Sequence, residues 1–217
     1  MEKAYKGMGM EGSVAVRYEK TTRRDMEEYR RLAQRFAAGF PEGADVLEVA
    51  PGPGFLSVEM AKSGRLHVTG LDISKTFVQI ARKNAEEVGV RANFVNGNAS
   101  QMPFADESFD FVVCRAAFKN FTDPVGALRE MRRVLRPGCR GVVIDLRGGV
   151  KLAEVKKYVD TLQLPFFQRM VEMLIFRFML MRRAYQPEQM EAMLRQVPFA
   201  HTEVTTNSIG MEAWFER

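Results

Sequence analysis

Two cysteines and two histidines in 217 residues leave little room for the chemistry those side chains usually carry. Cys114 and Cys139 lie in or beside apolar strand-like runs, and two thiols build neither a zinc site nor a disulfide framework. His67 and His201 are far apart in sequence, at strand or strand-edge positions, and read as structural rather than catalytic. No metal site is therefore expected. Long hydrophobic runs are missing too, since nothing reaches the ~18 uncharged apolar residues that span a bilayer. The opening Met1-Glu2-Lys3-Ala4-Tyr5-Lys6 has no apolar h-region, so no secretory signal and a reducing, cytoplasmic setting are expected. A basic–aromatic RNA motif is also absent, so no nucleic-acid partner is expected.

What is present is an ordinary globular composition, 46% hydrophobic and 27% charged, on a chain long enough for one core and one domain. The net charge of +5 is unevenly placed. Residues 151–183 hold Lys151, Lys156, Lys157, Arg169, Arg177, Arg182 and Arg183 against Glu154, Asp160 and Glu172, a balance of 7 − 3 = +4. Such a segment is either a solvated helix face or a surface for anionic partners.

The organising stretch is Asp45-Val46-Leu47-Glu48-Val49-Ala50-Pro51-Gly52-Pro53-Gly54, answered by Val68-Thr69-Gly70-Leu71-Asp72. A short apolar strand runs into a Gly/Pro turn and then a helix from Phe55 to about Lys62. Gly52 and Gly54 allow a sharp bend and close backbone approach to a ligand. The helix start offers unpaired N–H groups to something polar or anionic. Asp72 follows Gly54 by 72 − 54 = 18 residues, near the ~20 expected of an acid that receives a ribose hydroxyl pair. This is the pattern of a nucleoside-binding βαβ unit.

Read as a dinucleotide G-x-G-x-x-G, the stretch gives Ala50, Gly52 and Phe55, with a bulky ring where close helix–strand packing asks for glycine or alanine. Read as E-x-(G/A)-x-G-x-G it gives Glu48, Ala50, Gly52 and Gly54. In that form it resembles motif I of the class I S-adenosylmethionine-dependent methyltransferases. The likeness runs from about Val14 to Leu146, more weakly to the C-terminus, and is greatest to the ubiquinone/menaquinone C-methyltransferase-like branch. It implies a Rossmann-like α/β fold: a seven-stranded, mostly parallel sheet with an antiparallel C-terminal edge hairpin, helices on both faces and a helical lid insertion. It also implies S-adenosyl-L-methionine as cofactor, S-adenosyl-L-homocysteine as its product, and a cofactor set of Tyr18, Glu48, Ala50, Pro51, Gly52, Gly54, Asp72, Ile73, Asn98, Ala99 and Arg115.

Along the chain, residues 1–12 read as mobile or a cover, and residues 13–38 as helical, with a stripe of Tyr29, Leu32, Ala33, Phe36 and Ala37. Tyr18 matches a tyrosine the family places over the cofactor's amino-acid end; it is otherwise a core or surface aromatic. Ser74 caps a helix running to Val88 before Gly89. A third strand is expected near Ala92–Asn96. Asn98-Ala99-Ser100-Gln101-Met102-Pro103-Phe104 resembles the family's adenine-side loop, with Asn98 where an acid is usual. Its amide oxygen still accepts a hydrogen bond, though turn geometry alone also favours Asn there. Phe109–Cys114 is a strand apolar enough to be covered on both faces. Arg115 follows, where the family uses backbone to hold the methionine part; its guanidinium either faces a substrate or forms an ion pair.

Phe118-Lys119-Asn120-Phe121 stands where the quinone branch has a Leu-Arg-Asn-Val-like run, so Lys119 and Asn120 are acceptor-side candidates. With Tyr18 and Tyr185 they complete a short set of possible catalytic groups, none singled out. Asp123-Pro124 opens a helix through Leu135, Arg136-Pro137-Gly138 breaks it, and Gly141–Leu146 is a fifth strand ending beside Asp145, read as a loop cap. From Leu164 to Met181 the helical stripes Phe166, Met170, Met173, Leu174, Arg177 and Phe167, Val171, Leu174, Phe178 make a broad apolar face. It is core, a lid over an apolar substrate, a subunit contact, or a peripheral membrane contact through 164–183. A helix from Tyr185 to Gln196 and strands at Thr202–Thr206 and Ile209–Phe215 finish the chain. The expected layout is one domain: cover 1–38, cofactor core 45–146, lid 151–183, final helix and edge strands 184–217. The expected activity is methyl transfer to a small, apolar or aromatic acceptor. The alternatives are an NAD-dependent oxidoreductase, a methyltransferase working at a lipid surface, and a non-catalytic cofactor-binding regulator.

Overall fold

The computed structural model describes residues 5–6, 9–162, 165–176 and 182–217. Five strands form where apolar runs are closed off by glycine, proline or a helix: β1 (Ala44–Val49), β2 (Leu66–Asp72), β3 (Ala92–Asn96), β4 (Phe109–Arg115) and β5 (Leu135–Leu146). With β6 (His201–Thr206) and β7 (Gly210–Glu216) they make one seven-stranded sheet in the order β3-β2-β1-β4-β5-β7-β6. Strands β1 to β5 pair in parallel, while β7 runs antiparallel to both β5 and β6. The sheet grows leftward from β1 through β2 and rightward through β4, so the strand order reverses at β1/β4. Open α/β sheets bind ligands at the carboxyl ends of the strands beside such a reversal.

Eight helices accompany the sheet among the described residues: α1 (Gly12–Thr22), α2 (Met26–Ala37), α3 (Phe55–Ala61), α4 (Lys75–Glu87), α5 (Pro124–Val134), α6 (Leu152–Thr161), α7 (Phe166–Ile175) and α8 (Pro187–Leu194). Period-two alternation along the central strands divides the core. Val46, Phe111, Val113 and Val142 face α2 and α3, whereas Leu47, Val112, Cys114 and Val143 face α5 and α8. Phe111 is fully buried, with ring centroids of Phe40 at 4.7 Å, Phe36 at 4.9 Å and Trp214 at 6.2 Å. Truncating such a ring to alanine costs about 3–5 kcal/mol.

The helix starts follow their capping residues. Ser74 Oγ accepts from the Phe77 N–H at 3.0 Å, and Asp123 Oδ1 from the Gly126 N–H at 2.8 Å with Pro124 at the first helical position. Two elements depart from the sequence expectation. The helix over 13–38 is broken by a 3-10 turn at Arg23–Asp25. Thr21 and Thr22 hydroxyls donate back to the Arg17 and Tyr18 carbonyls at 3.0 and 2.9 Å, a bond that bends helices. Arg136-Pro137-Gly138 lies inside β5 rather than before it, and the β4–β5 register shifts between Phe109 and Phe111 to absorb the extra residues.

After β5 the chain builds a second, smaller core. Helices α6 and α7 share a small core of Val155, Val159 and Phe176 with Ile209. The opposite face of α7 stays in solvent, with Phe166 71% and Phe167 75% exposed, and Met170, Val171 and Leu174 exposed beside them. Leu164, Arg177, Phe178 and Met181 lie outside the described residues.

Candidate functional site

Three residues in five adopt left-handed backbone after β1: Ala50 at φ 56°, Gly52 at 55° and Gly54 at 78°. An alanine held there carries strain on the order of 1 kcal/mol, and such residues cluster at functional sites. The turn is pinned from β2. Ala50 N–H donates to the Leu71 carbonyl at 2.7 Å, and Gly52 N–H to Asp72 Oδ2 at 2.9 Å. Asp72 Oδ1 accepts from the Ser74 N–H at 2.8 Å, so one buried carboxylate ties the glycine turn to the start of α4. Burial pushes the Asp72 carboxyl up to about 6, against the backbone N–H groups of Ser74 and Gly52, which pull it down.

The two glycines do different work. A Cβ on Gly54 would lie 2.7 Å from Ala81 Cβ and 3.1 Å from the Phe94 ring, so that glycine lets α4 and β3 pack against the turn. A Cβ on Gly52 would meet nothing closer than Tyr18 at 3.9 Å and Phe77 at 4.0 Å. Gly52 thus opens onto a space bordered by two aromatic rings, which pack edge to face with centroids 5.7 Å apart. Pro51 and Gly54 are buried behind it, and Ile73 keeps 39% of its surface exposed just past Asp72.

Glu48 lies under the turn, 3% exposed, accepting from the Ser57 hydroxyl at 2.5 Å. Burial pushes its carboxyl up to about 7, although Ser57 and Arg115 pull the other way. Arg115 ends β4. Its guanidinium stacks 4.4 Å from the Tyr29 ring centroid and pairs with Glu28 Oε1 at 2.9 Å. On the β3 side, Asn98 Oδ1 accepts from the Ser100 N–H at 3.0 Å, the local turn bond its residue type favours, and Ala99 packs against the core. The Asn96 amide donates to the Asp72 and Ile73 carbonyls, both at 2.9 Å, and fixes the chain after β2.

The acceptor-side candidates are not gathered around this turn. Lys119 is buried, with Nζ 2.6 Å from Asp145 Oδ1 and 2.7 Å from the Ala116 carbonyl, and its N–H donates to Asp145 Oδ2. A lysine so enclosed holds the chain between β4 and α5 and presents no free amine. The Asn120 carbonyl accepts from the Lys6 N–H at 2.6 Å, and the Tyr185 hydroxyl from Lys6 Nζ at 2.7 Å. Tyr5 and Lys6 thus run against the segment between β4 and α5, with Tyr5 bridged to Phe121. His67 and His201 sit near the amino ends of β2 and β6, away from the turn. Among the described residues no cluster of His, Cys, Asp and Glu could hold a metal ion, and no helix is long and apolar enough to cross a membrane.

Sequence reasoning missed Glu11, Glu28 and Ser57. Glu11 reaches across to the N-terminus of α4, accepting from the Lys75 N–H at 3.0 Å and the Thr76 N–H at 3.1 Å. Burial opposes ionisation there, but the Thr76 and Lys75 bonds hold its carboxyl below the usual range. Its partners are 64 and 65 residues away, and no local pattern signals such a contact. Glu28 sits on a helix whose stripe marked Tyr29 as core, a signal that says nothing of an ion pair beside it. Two surface clefts lie off the turn. One of about 480 Å³ separates α2 from α6 and is lined by Glu28, Arg31, Leu32, Tyr158 and Leu162 among others. The other, about 300 Å³, lies at the β6–β7 edge around Trp214 and Arg140.

Residues 47–143 match the family described as methyltransferase domain. Over 109 residues the chain is 38% identical to the demethylmenaquinone methyltransferase of Bacillus velezensis, covering 48% of this chain and 46% of that protein. Over 142 residues it is 37% identical to the ubiquinone/menaquinone biosynthesis C-methyltransferase UbiE of Hahella chejuensis, covering 61% of this chain and 56% of that one. The chain thus spans about half the length of the curated relatives it matches. Among solved structures it is similar to a Methanococcus maripaludis protein provisionally assigned as an S-adenosyl-L-methionine-dependent methyltransferase, with TM-score 0.78, 20% identity, and 100% and 97% of the two chains covered. At that identity the likeness speaks for the fold alone, which is the seven-stranded Rossmann-like arrangement expected from the sequence.

Proposed function

We propose that this chain, whose residues 47–143 match a methyltransferase domain, is an S-adenosyl-L-methionine-dependent methyltransferase acting on a small apolar or aromatic acceptor. The observation that carries the reading is Gly52, left-handed, pinned by Asp72 and open toward Tyr18 where a side chain would intrude on a ligand. In this reading Ala50, Pro51, Gly52 and Gly54 shape the cradle, and Glu48 and Tyr18 flank the amino-acid end. Asp72 accepts the ribose hydroxyls. Ile73, Asn98 and Ala99 border the base, and Arg115 closes the β4 side. Residues 1–38 cover the site, 45–146 hold the cofactor, 151–183 form a lid on the acceptor side, and 184–217 complete the sheet.

The bound cofactor supplies a methyl group on a sulfonium, already electrophilic; transfer breaks the S–CH3 bond, forms the new bond to the acceptor and leaves S-adenosyl-L-homocysteine. The chain's own part is to hold the acceptor atom about 3–3.5 Å away in line and to exclude water. A proton acceptor is needed only where the acceptor atom carries a proton. The redox alternative is disfavoured by Phe55, which is buried against Tyr29 with centroids 5.7 Å apart, where a dinucleotide fold calls for glycine or alanine.

A lipid-surface version of the same activity is favoured by one observation, the exposed Phe166 and Phe167 on a segment that carries most of the chain's net positive charge. The decisive experiment is turnover with methyl-labelled cofactor, first against reduced demethylmenaquinone and then against a metabolite extract, with the labelled product identified by mass. Label in a small apolar product supports the reading. Calorimetry showing no heat with S-adenosyl-L-homocysteine, together with tight binding of a nicotinamide coenzyme, overturns it.

A further inference from the structure

We propose that the Arg115 guanidinium anchors the α-carboxylate at the amino-acid end of the nucleoside ligand, and that Glu28 is its stand-in when no ligand is bound. The inference rests on the proposed function and deepens it, because it gives a named side chain to the end of the ligand farthest from Asp72.

The argument begins with two ion pairs at the carboxyl ends of β4 and β5. In Lys119–Asp145 both side chains are enclosed, 5% and 2% exposed, and neither can leave its partner without stranding a buried charge. In Arg115–Glu28 the exposures are 13% and 49%. The cation is enclosed and its partner is half in water. Glu28 can swing into solvent at little cost, while Arg115 stays behind, stacked on Tyr29 and still in need of an anion. Burial tends to lower the guanidinium pKa, but the neighbouring Tyr29, Glu28 and Tyr18 raise it, so the charge is permanent. A planar fork with five donors is suited to take both oxygens of a well-placed carboxylate.

Position supplies the rest. Cys114 is in register with Val49, so Arg115 stands one strand over from Ala50 and the start of the glycine turn. Asp72 ends β2 on the other side of β1, in register beyond Val49↔Leu71. Two strand spacings, roughly 10 Å, separate the carboxylate on β2 from the cation on β4. The opening at Gly52 lies between them under Tyr18, whose phenol is within electrostatic reach of Arg115. A ligand with hydroxyls at one end and a carboxylate at the other fits that polarity; a nucleoside with no amino acid fits half of it.

The test compares two ligands by calorimetry on the full chain: S-adenosyl-L-homocysteine, which carries the amino-acid end, and 5′-methylthioadenosine, which does not. Arg115→Met is expected to weaken S-adenosyl-L-homocysteine about 10- to 100-fold, the loss of a charge-assisted pair, and to leave 5′-methylthioadenosine within about twofold. Arg115→Lys should fall between. Glu28→Gln, which removes the competing carboxylate and leaves the enclosed Arg115 without an anion until the ligand supplies one, should tighten S-adenosyl-L-homocysteine severalfold with no change for 5′-methylthioadenosine. Equal losses for both ligands in Arg115→Met mean a merely structural arginine and overturn the proposal. Weaker or unchanged S-adenosyl-L-homocysteine binding in Glu28→Gln overturns it too, which keeps it testable if Arg115→Met does not fold. A wild-type chain that binds neither ligand removes the proposed function itself, a result distinct from a wild type that binds both and variants that do not separate them.

Discussion

The corner after β1 and the helix pair α6–α7 each follow the carboxyl end of a parallel strand, β1 and β5, yet they are built in opposite ways. At the corner each feature is over-determined: left-handed backbone, a buried carboxylate with two N–H donors, and a glycine with no room for a methyl. In α6–α7 a few side chains around Val155, Val159 and Phe176 hold two helices, and a row of large apolar residues faces water. The contrast teaches where preorganisation is needed. On the proposed function, the end that would seat the cofactor is fixed before the ligand arrives, while the end that would meet the acceptor or a surface keeps few contacts to lose.

The largest effect that tests this contrast comes from the two glycines. Gly54→Val combines left-handed strain with overlap onto Ala81 and Phe94, and should cost several kcal/mol, enough to abolish folding or lower the urea midpoint sharply. Gly52→Ala keeps the strain, about 1–2 kcal/mol, but adds its methyl at ordinary contact distance, 3.9 Å from the Tyr18 ring and 4.0 Å from Phe77. Its main consequence should appear in nucleoside affinity, measured by calorimetry on a chain that still unfolds cooperatively. If both variants lose stability equally, Gly52 is a packing glycine and the division of labour is wrong.

Next in size is Lys119→Met, which leaves Asp145 buried without its cation and should cost about 3–5 kcal/mol. The double variant Lys119→Met with Asp145→Leu should recover part of that loss in denaturant unfolding. No recovery would show that the Ala116 and Leu146 backbone bonds, rather than the charge pair, carry the stabilisation.

The rigid corner also carries a pH signature. Burial raises Glu48 to about 7 and Asp72 to about 6, above their unfolded values of 4.5 and 3.8. The folded chain then binds more protons than the unfolded one in between, so stability rises as pH falls from 8 toward 5. For Glu48 the swing is on the order of 3 kcal/mol. Ligand binding should move the other way, because ribose hydroxyls donate to an ionised Asp72, and affinity should drop below about pH 6. Urea midpoints at pH 8 and 5.5, with Glu48→Gln as the variant that flattens the slope, measure the first trend; calorimetry measures the second. Stability that falls steadily toward acid in that window would remove these two carboxylates as its controlling groups.

The same contrast explains what the sequence could and could not reveal. Val46, Leu47 and Phe109–Cys114 are legible as strands because they lie in short, continuous apolar runs, and Ser74, Asp123-Pro124 and Gly89 mark helix ends by local chemistry. Gly52 and Asp72 were legible because the turn and its partner sit at a spacing the fold fixes. Which of the two glycines faces ligand was not, since that depends on Ala81 and Phe94 arriving from elsewhere in the chain. Glu28 beside Arg115 and Glu11 on α4 are long-range pairs between elements whose docking no local pattern encodes. Lys119 read as an acceptor-side group because a loop position gives no hint of burial, and Asp145 completes it from 26 residues away.

The smallest expected effect is the one that probes the loose end directly. Phe166 and Phe167 are 71% and 75% exposed at the start of α7, where the Arg169 guanidinium lies 5.9 Å from the Phe166 ring centroid, so replacing both with serine removes little packing. Stability should change by no more than about 0.5 kcal/mol, and S-adenosyl-L-homocysteine affinity should not change. What should fall is sedimentation with phosphatidylglycerol vesicles at low salt, because the two rings provide the apolar area and Lys156 and Lys157 the charge. A clear loss of stability instead would mean that the face is covered in solution, by a second copy or by its own chain. Unchanged stability with vesicle binding already absent in the wild type would leave the exposed row to the acceptor, and the lipid-surface version of the activity would be dropped.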